Sequence, residues 1–171
     1  MILVNEHDEA IGSMEKMKAH STGSLHRAFS VFIFNNKGEM LIHQRAIRKY
    51  HSGGLWTNAC CSHPMPGEDI TDAAHRRLSE EMGFDTDIKK AFTFTYQTSF
   101  ENGLIENEYD HVFTGIYEGE IYPVETEVKD YCFTSLENIR NSIKSHPLKY
   151  TEWFKIAFPM LEKYLASTRN T

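Results

Sequence analysis

The sequence predicts an α/β fold of the α+β kind, a mixed β-sheet sandwiched by helices. Three observations predict it. A short aromatic and β-branched run, AFSVFIF (28–34), returns through the turn NNKG as MLIHQR (40–45), which reads as a hairpin. A capped amphipathic helix follows near the middle of the chain, from Asp69 to Gly83. Further strand-like runs, AFTFTYQTSF (91–100) and DYCFT (130–134), then lead to a long helix with an apolar stripe.

Taken in order, ILV, the acidic turn NEHDE and AIG read as two short strands. KMKAHSTGSLH reads as a polar loop carrying Lys16, Lys18, His20 and His26. After the hairpin comes a basic loop, AIRKYHSGGLW, which with Arg45 before it supplies Arg48 and Lys49. Trp56 to Cys61 leads into CCSHPMPGEDITDAAHRRLSEEMGF (60–84). In its helical part Asp69 suits the N-cap, Asp72 favours the positive end of the dipole, and Gly83 suits the stop. Ile70, Ala74, Leu78 and Met82 recur at helical spacing and form the buried stripe.

Alternation in 91–100 predicts a half-buried strand containing Tyr96. After the turn ENG, the period of two puts Glu106 and Glu108 on one side of a strand, with Ile105, Asn107 and Tyr109 opposite. Residues 112–117 continue a strand, and 130–134 form another in which Cys132 is expected to be a core thiol. Ser135 caps a helix with the stripe Leu136, Ile139 and Ile143. The last helix, about 151–165, presents Trp153, Ile156, Ala157, Met160, Leu161 and Tyr164 on one side, and Pro159 is expected to kink it.

The 171 residues suit a single domain spanning 1–171, and 40% apolar with 12% aromatic residues is a globular composition. A net charge of −6 disfavours broad binding to nucleic acid or an anionic membrane, while leaving room for a local basic pocket. The three cysteines, two of them adjacent, form no disulfide framework, which points to a reducing cytoplasm. No basic-then-apolar leader opens the chain, and no apolar run approaches the roughly eighteen residues of a membrane span. The expected partner is a small molecule, and the expected assembly a monomer or weak homodimer.

Several residue sets carry chemistry. Cys61 offers a nucleophile or acid, with His63, a metal-ligand type, two residues on. His20 and His26 read singly as solvated histidines, but together they can converge on one metal if a third ligand lies nearby. Arg45, Arg48 and Lys49 read as solvated charge or as a phosphate clamp. Glu106 and Glu108 side by side suit a surface, a metal or an acid of raised pKa. The set His20, His26, His63, Glu106 and Glu108, three imidazoles and two carboxylates, suits Zn, Mn or Fe better than Ca.

Glu68, Arg76, Leu78, Glu80, Glu81, Gly83 and Phe84 fall in the register of the Nudix box, which they resemble. Two positions depart from it: Ser62 stands for the opening glycine, and Arg77 for the glutamate after the arginine. In Nudix hydrolases that glutamate helps load the metals that drive diphosphate cleavage, so a cation there argues against pyrophosphohydrolysis. Together, AHSTGSLHRAFSVFIFN, GGLWTNACCSHP, this altered box and GLIENEYDHVF resemble isopentenyl diphosphate isomerase of the metal-dependent, flavin-free class, from about Lys16 through Trp153.

That resemblance implies a Nudix-like mixed sheet flanked by helices and interconversion of isopentenyl and dimethylallyl diphosphate, a step of isoprenoid biosynthesis. It implies Cys61 as an acid/base, Glu108 as its partner on the opposite face of the substrate, and Tyr96 helping to deliver the proton. His20, His26, His63, Glu106 and Glu108 would hold Mn²⁺ or Zn²⁺, and Glu81 a Mg²⁺ that rides in with the diphosphate. Lys16, Arg45, Lys49 and Arg77 would contact the diphosphate. An indole face, Trp153 or Trp56, would stabilise the cationic intermediate by about 2 kcal/mol. The loop histidines are six apart where seven is expected, and Cys60 beside Cys61 leaves two thiols, of which spacing to His63 favours Cys61. A Nudix-type diphosphate hydrolase and a non-catalytic metal-binding protein are the alternatives.

Overall fold

The computed structural model describes residues 1–49 and 51–168. Strands β1 (Ile2–Val4) and β2 (Ala10–Ser13) pair as a short antiparallel ribbon. Where a loop was expected, Lys16–Thr22 forms a helix, α1. The cause is local capping. The Glu15 carboxylate accepts from the N–H groups of Met17 and Lys18 at 3.0 and 2.9 Å, and Gly23 closes the helix at a left-handed φ of 64°.

Strand β3 (His26–Phe34) runs through the centre of the sheet. The predicted hairpin with β4 (Met40–Arg45) meets only at Phe34 and Met40. Beyond that pair β4 leaves to lie between β5 (Trp56–Asn58) and β9 (Val128–Thr134). The vacated flank of β3 is filled by β6 (Cys60–Ser62), and its other flank by β8 (Ile105–Ile116), parallel to it from His26–Glu108 to Phe34–Ile116. Strand β7 (Ile88–Ser99) forms the true hairpin with β8.

Helices cover both faces. On one side α2 (Ile70–Met82) packs Ala73, Ala74, Leu78 and Met82 against Phe29, Val31, Ile33, Leu41 and Phe113. Truncating the fully buried Leu78 to alanine is expected to cost about 2–5 kcal/mol. The cap and stop predicted for α2 are present: Asp69 accepts from the Thr71 N–H at 2.7 Å, and Gly83 has φ 73°. A Cβ at Gly83 would also lie 2.1 Å from the Tyr122 carbonyl oxygen, so only glycine fits.

On the other face, α3 (Leu136–Ser145) and α4 (Glu152–Thr168) cover Phe32, Met40, Ile42, Phe94 and Val112 through Ile139, Phe154, Ala157, Phe158 and Leu161. The α4 helix runs on past Pro159 to Thr168. Its predicted stripe needs one correction: Met160 is exposed, and the buried aromatics are Trp153, Phe154 and Phe158. Cys132 is also exposed rather than core, because β9 lies at the sheet edge, paired among the described residues only with β4. Among the described residues, no helix is long and apolar enough to cross a membrane.

Candidate active site

Strand alternation decides which side chains reach the space beneath α4. On β3 the odd-numbered apolar residues face α2, so Ser30 faces the other way. On β6 the same rule separates the two cysteines. Cys60 is buried in the α2 core and Cys61 lies on the α4 side. Glu106, Glu108 and Asp110 continue one another along the same side of β8.

A cavity of about 70 Å³ opens on this side. Lys16, Arg45, Lys49, Cys61, His63, Arg77, Glu81, Tyr96, Glu106, Glu108 and Trp153, all singled out in the sequence, line it. His20 and His26 lie just behind. Arg48 is exposed and off the lining, and Lys149 covers the Trp56 ring at 5.2 Å, so Trp153 is the indole that faces the cavity.

His20, His26, His63 and Glu108 place one ligand atom each within 4.8 Å of one another. They arrive from α1, the start of β3, the residue just after β6 and the first part of β8. His26 Nδ1 lies 2.8 Å from the Ser24 carbonyl oxygen, which can only accept. In the neutral ring Nδ1 therefore carries the hydrogen, and Nε2 turns a lone pair toward Glu108 Oε1 at 3.5 Å. Two acceptors facing each other in a buried site suit a shared cation, and the four groups fit a divalent metal. Burial lowers the pKa of His20 and of His63 to about 4, the neutral form that a metal ligand needs.

Glu106 stands outside that group of four. Its Oε2 lies 3.0 Å from the Tyr96 hydroxyl, and its Oε1 lies 3.4 Å from His51 Nε2. Tyr96 also contacts Glu108 Oε2 at 2.7 Å. One phenolic hydrogen cannot serve two carboxylates, so the second contact requires a proton on one of them. Burial and then the Glu108 charge push Glu106 well above the usual carboxylate range. Burial opposes the Glu108 charge too, but the neighbouring His26 and His63 rings outweigh it and hold Glu108 well below that range. The proton therefore resides on Glu106.

Across the cavity, burial pushes the Cys61 thiol well up, so it is a protonated S–H. Its sulfur lies 3.0 Å from Asn58 Oδ1 and 3.4 Å from Ser30 Oγ, and Ser30 donates to Asp110 at 2.7 Å. At the basic end, Arg77 pairs with Glu80 at 2.7 Å and with Glu81, and Lys49 pairs with Glu127. The neighbouring Arg76 serves structure instead, bridging Glu68 and Glu80 at 2.6 and 3.2 Å. Arg45 lies 5.2 Å above the Trp153 ring.

Sequence reasoning missed Ser30, His51, Asn58, Asp110 and Glu127. Only Asp110 carried a signal, since it extends the Glu106–Glu108 alternation by one more step.

Known proteins match this architecture. The NUDIX domain family model matches residues 24–154. A MutT protein from Methanosarcina mazei superposes with a TM-score of 0.67 at 19% identity, over 84% of this chain and 95% of its own. A Deinococcus radiodurans protein superposes with a TM-score of 0.75 at 16% identity, over 91% and 94%. These two share the fold. Closer in sequence is "Isopentenyl-diphosphate Delta-isomerase 2" of Photorhabdus laumondii, 52% identical over 91% of this chain and 88% of that protein. The "Isopentenyl-diphosphate Delta-isomerase" of Pectobacterium atrosepticum is 45% identical over 96% and 92%. With its fold, its altered box and these relatives agreeing, the chain belongs to the NUDIX family and, within it, to the isopentenyl-diphosphate Delta-isomerases.

Proposed function

We propose that this chain, acting as one domain over 1–171, interconverts isopentenyl and dimethylallyl diphosphate by adding a proton at C4 and removing one at C2. The observation that carries the reading is a single small cavity. It holds a thiol, Cys61, and a carboxylate, Glu108, beside four cations, Lys16, Arg45, Lys49 and Arg77.

The residues divide the work by charge. The cations take the diphosphate, Arg offering a fork and Lys a point charge. The uncharged tail then lies among Cys61, Tyr96 and Trp153. One of the two acid/base groups gives a proton to the alkene and the other takes one from the resulting tertiary cation, so the reaction is proton-neutral and reversible. Tyr96, hydrogen-bonded to Glu108, serves proton delivery on that side. The Trp153 face stabilises the cation without trapping it.

We assign Mn²⁺ or Zn²⁺ to His20, His26, His63, Glu108 and, after a small movement, Glu106, where it would fix Glu108 and set its acidity. Mg²⁺ accompanies the diphosphate near Glu81. The same reading places the protein in the cytoplasm, which its three free thiols support, and makes it a monomer or weak homodimer acting in isoprenoid biosynthesis. A diphosphate hydrolase is the less favoured reading because Arg77, gripping Glu81, occupies the position where the hydrolase box has a carboxylate.

The test is incubation with isopentenyl diphosphate and Mg²⁺ in D₂O, followed by NMR, with Cys61→Ala alongside. Deuterated dimethylallyl diphosphate from the wild type, absent with the variant, is expected. Free phosphate or pyrophosphate without isomer would replace this reading by the hydrolase.

A further inference from the structure

Thr57 and Asn58 are buried in β5, and none of the roles above uses them. Their hydrogen bonds leave little freedom. The Asn58 amide nitrogen donates to the carbonyl oxygens of Val31 at 3.0 Å and Cys60 at 2.9 Å. Carbonyls only accept, so these two contacts set the orientation of the amide and turn Oδ1 the other way.

That oxygen meets two donors, the Thr57 hydroxyl at 2.9 Å and the Cys61 thiol at 3.0 Å. Having given its one hydrogen to Asn58, Thr57 can only accept from its remaining partners. They are the Trp153 indole N–H at 2.9 Å and the Thr151 hydroxyl at 3.2 Å. The path from Trp153 through Thr57 and Asn58 to Cys61 thus has every donor direction forced. Backbone bonds reinforce it: the Thr151 N–H donates to the Trp56 carbonyl at 3.0 Å, which fastens the start of α4 to β5.

We propose that Thr57 and Asn58 are positioning residues that register the Cys61 thiol, on the sheet, against the Trp153 indole, on α4. The inference rests on the isomerase reading. There the thiol must reach one carbon of a five-carbon skeleton while the indole faces the cation on its neighbour. The sheet and α4 are separate elements and could slide past each other by a fraction of an ångström. A displacement of about 1 Å is enough to cost on the order of 10²-fold in rate. A polar bridge between two rigid elements prevents that slip without touching the substrate.

The test compares Thr57→Val, which keeps the shape and loses the hydroxyl, with Thr57→Ser, which keeps the hydroxyl and loses the methyl. In Thr57→Val, kcat is expected to fall by about 10-fold to 100-fold with KM changed by less than about twofold, since the diphosphate grip is untouched. The indole N–H resonance of Trp153 should move upfield while that of Trp56 stays. Thr57→Ser should keep both the rate and the resonance. Equal damage from the two variants, an unchanged kcat in Thr57→Val, or an unmoved Trp153 resonance would each overturn the proposal. If Thr57→Val does not fold, Thr57→Ala takes its place against Thr57→Ser. A wild type that does not isomerise would sink the isomerase reading, while the indole resonance would still test the bridge on its own.

Discussion

The two ends of the cavity handle buried charge in opposite ways. At the histidine end, lone pairs converge: His20 and His63 are kept neutral by burial, and His26 Nε2 faces an ionised Glu108. That end gathers ligand atoms that could hold a cation, which the proposed function places there. At the basic end each of two cations already has a carboxylate, Arg77 with Glu81 and Lys49 with Glu127. On the proposed reading, an incoming diphosphate displaces these carboxylates. Doing so frees Glu81 and Glu127 beside it, which suits an anion that brings its own divalent cation. The first end is completed by its ligand, whereas the second exchanges one partner for another.

The largest effect should come from the end that needs a ligand. Stripping the metal with a chelator, or changing His63→Ala, is expected to lower kcat by about 10²–10⁴-fold, because Glu108 loses its anchor as an acid/base. The melting temperature should fall with chelation as well. Were both quantities unchanged by a chelator, the converging lone pairs would have no such purpose and the contrast would break.

Next comes Arg77→Ala at the exchanging end. It should raise KM by about 10-fold to 100-fold, the worth of one charge-assisted hydrogen bond, while kcat moves little. An equal fall in kcat would mean that Arg77 acts on the transition state and not on binding.

Two residues before Arg45 in β4 lies His43, which is 2% exposed. Burial, then the Arg45 charge, lowers its pKa from 6.5 to about 3. The unfolded chain therefore takes up the proton first as pH falls. The stability this neutral histidine contributes is complete above about pH 6.5 and drains away toward about 3, at up to about 1.4 kcal/mol per pH unit. Urea midpoints measured from pH 7 to 4.5 should show this slope, and His43→Gln should flatten it. Parallel curves for the two proteins would exclude His43 as the cause.

The smallest effect distinguishes exchange from simple pairing. Glu127→Gln removes the competitor for Lys49, so inorganic diphosphate should bind about 2–5-fold tighter without metal, a gain limited by the partial exposure of this pair. Calorimetry without and with Mg²⁺ reads both affinities. Weaker metal-free binding in the variant would contradict the exchange.

Much of this was legible because it is local. Asp69 and Gly83 bound α2 as expected, since a cap and a left-handed stop depend on neighbours within one helical turn. Glu106 and Glu108 share a side because the strand period alone dictates it. Where local signals competed, the expectation failed. KMKAHST looked like loop because its cap, Glu15, is not among the strongest capping residues, yet both of its carboxylate oxygens are used. Cys132 has apolar neighbours in sequence, but the edge position of β9 exposes it.

By itself, the chain's pattern of caps, periods and motif spacing determined α2, α3 and α4, most strands, the altered box and the chemical types of the ligands. Each of these follows from interactions over a few residues. Only the tertiary structure decided that β4 leaves β3 to β6 and β8, that Cys60 and Cys61 face opposite cores, and that Asn58 holds the catalytic thiol candidate. His26 and Glu108 are paired across a parallel ladder that no local pattern specifies. Strand partners are chosen by the burial of whole faces and by loop closure over long separations, and that choice is made by the folded core as a unit.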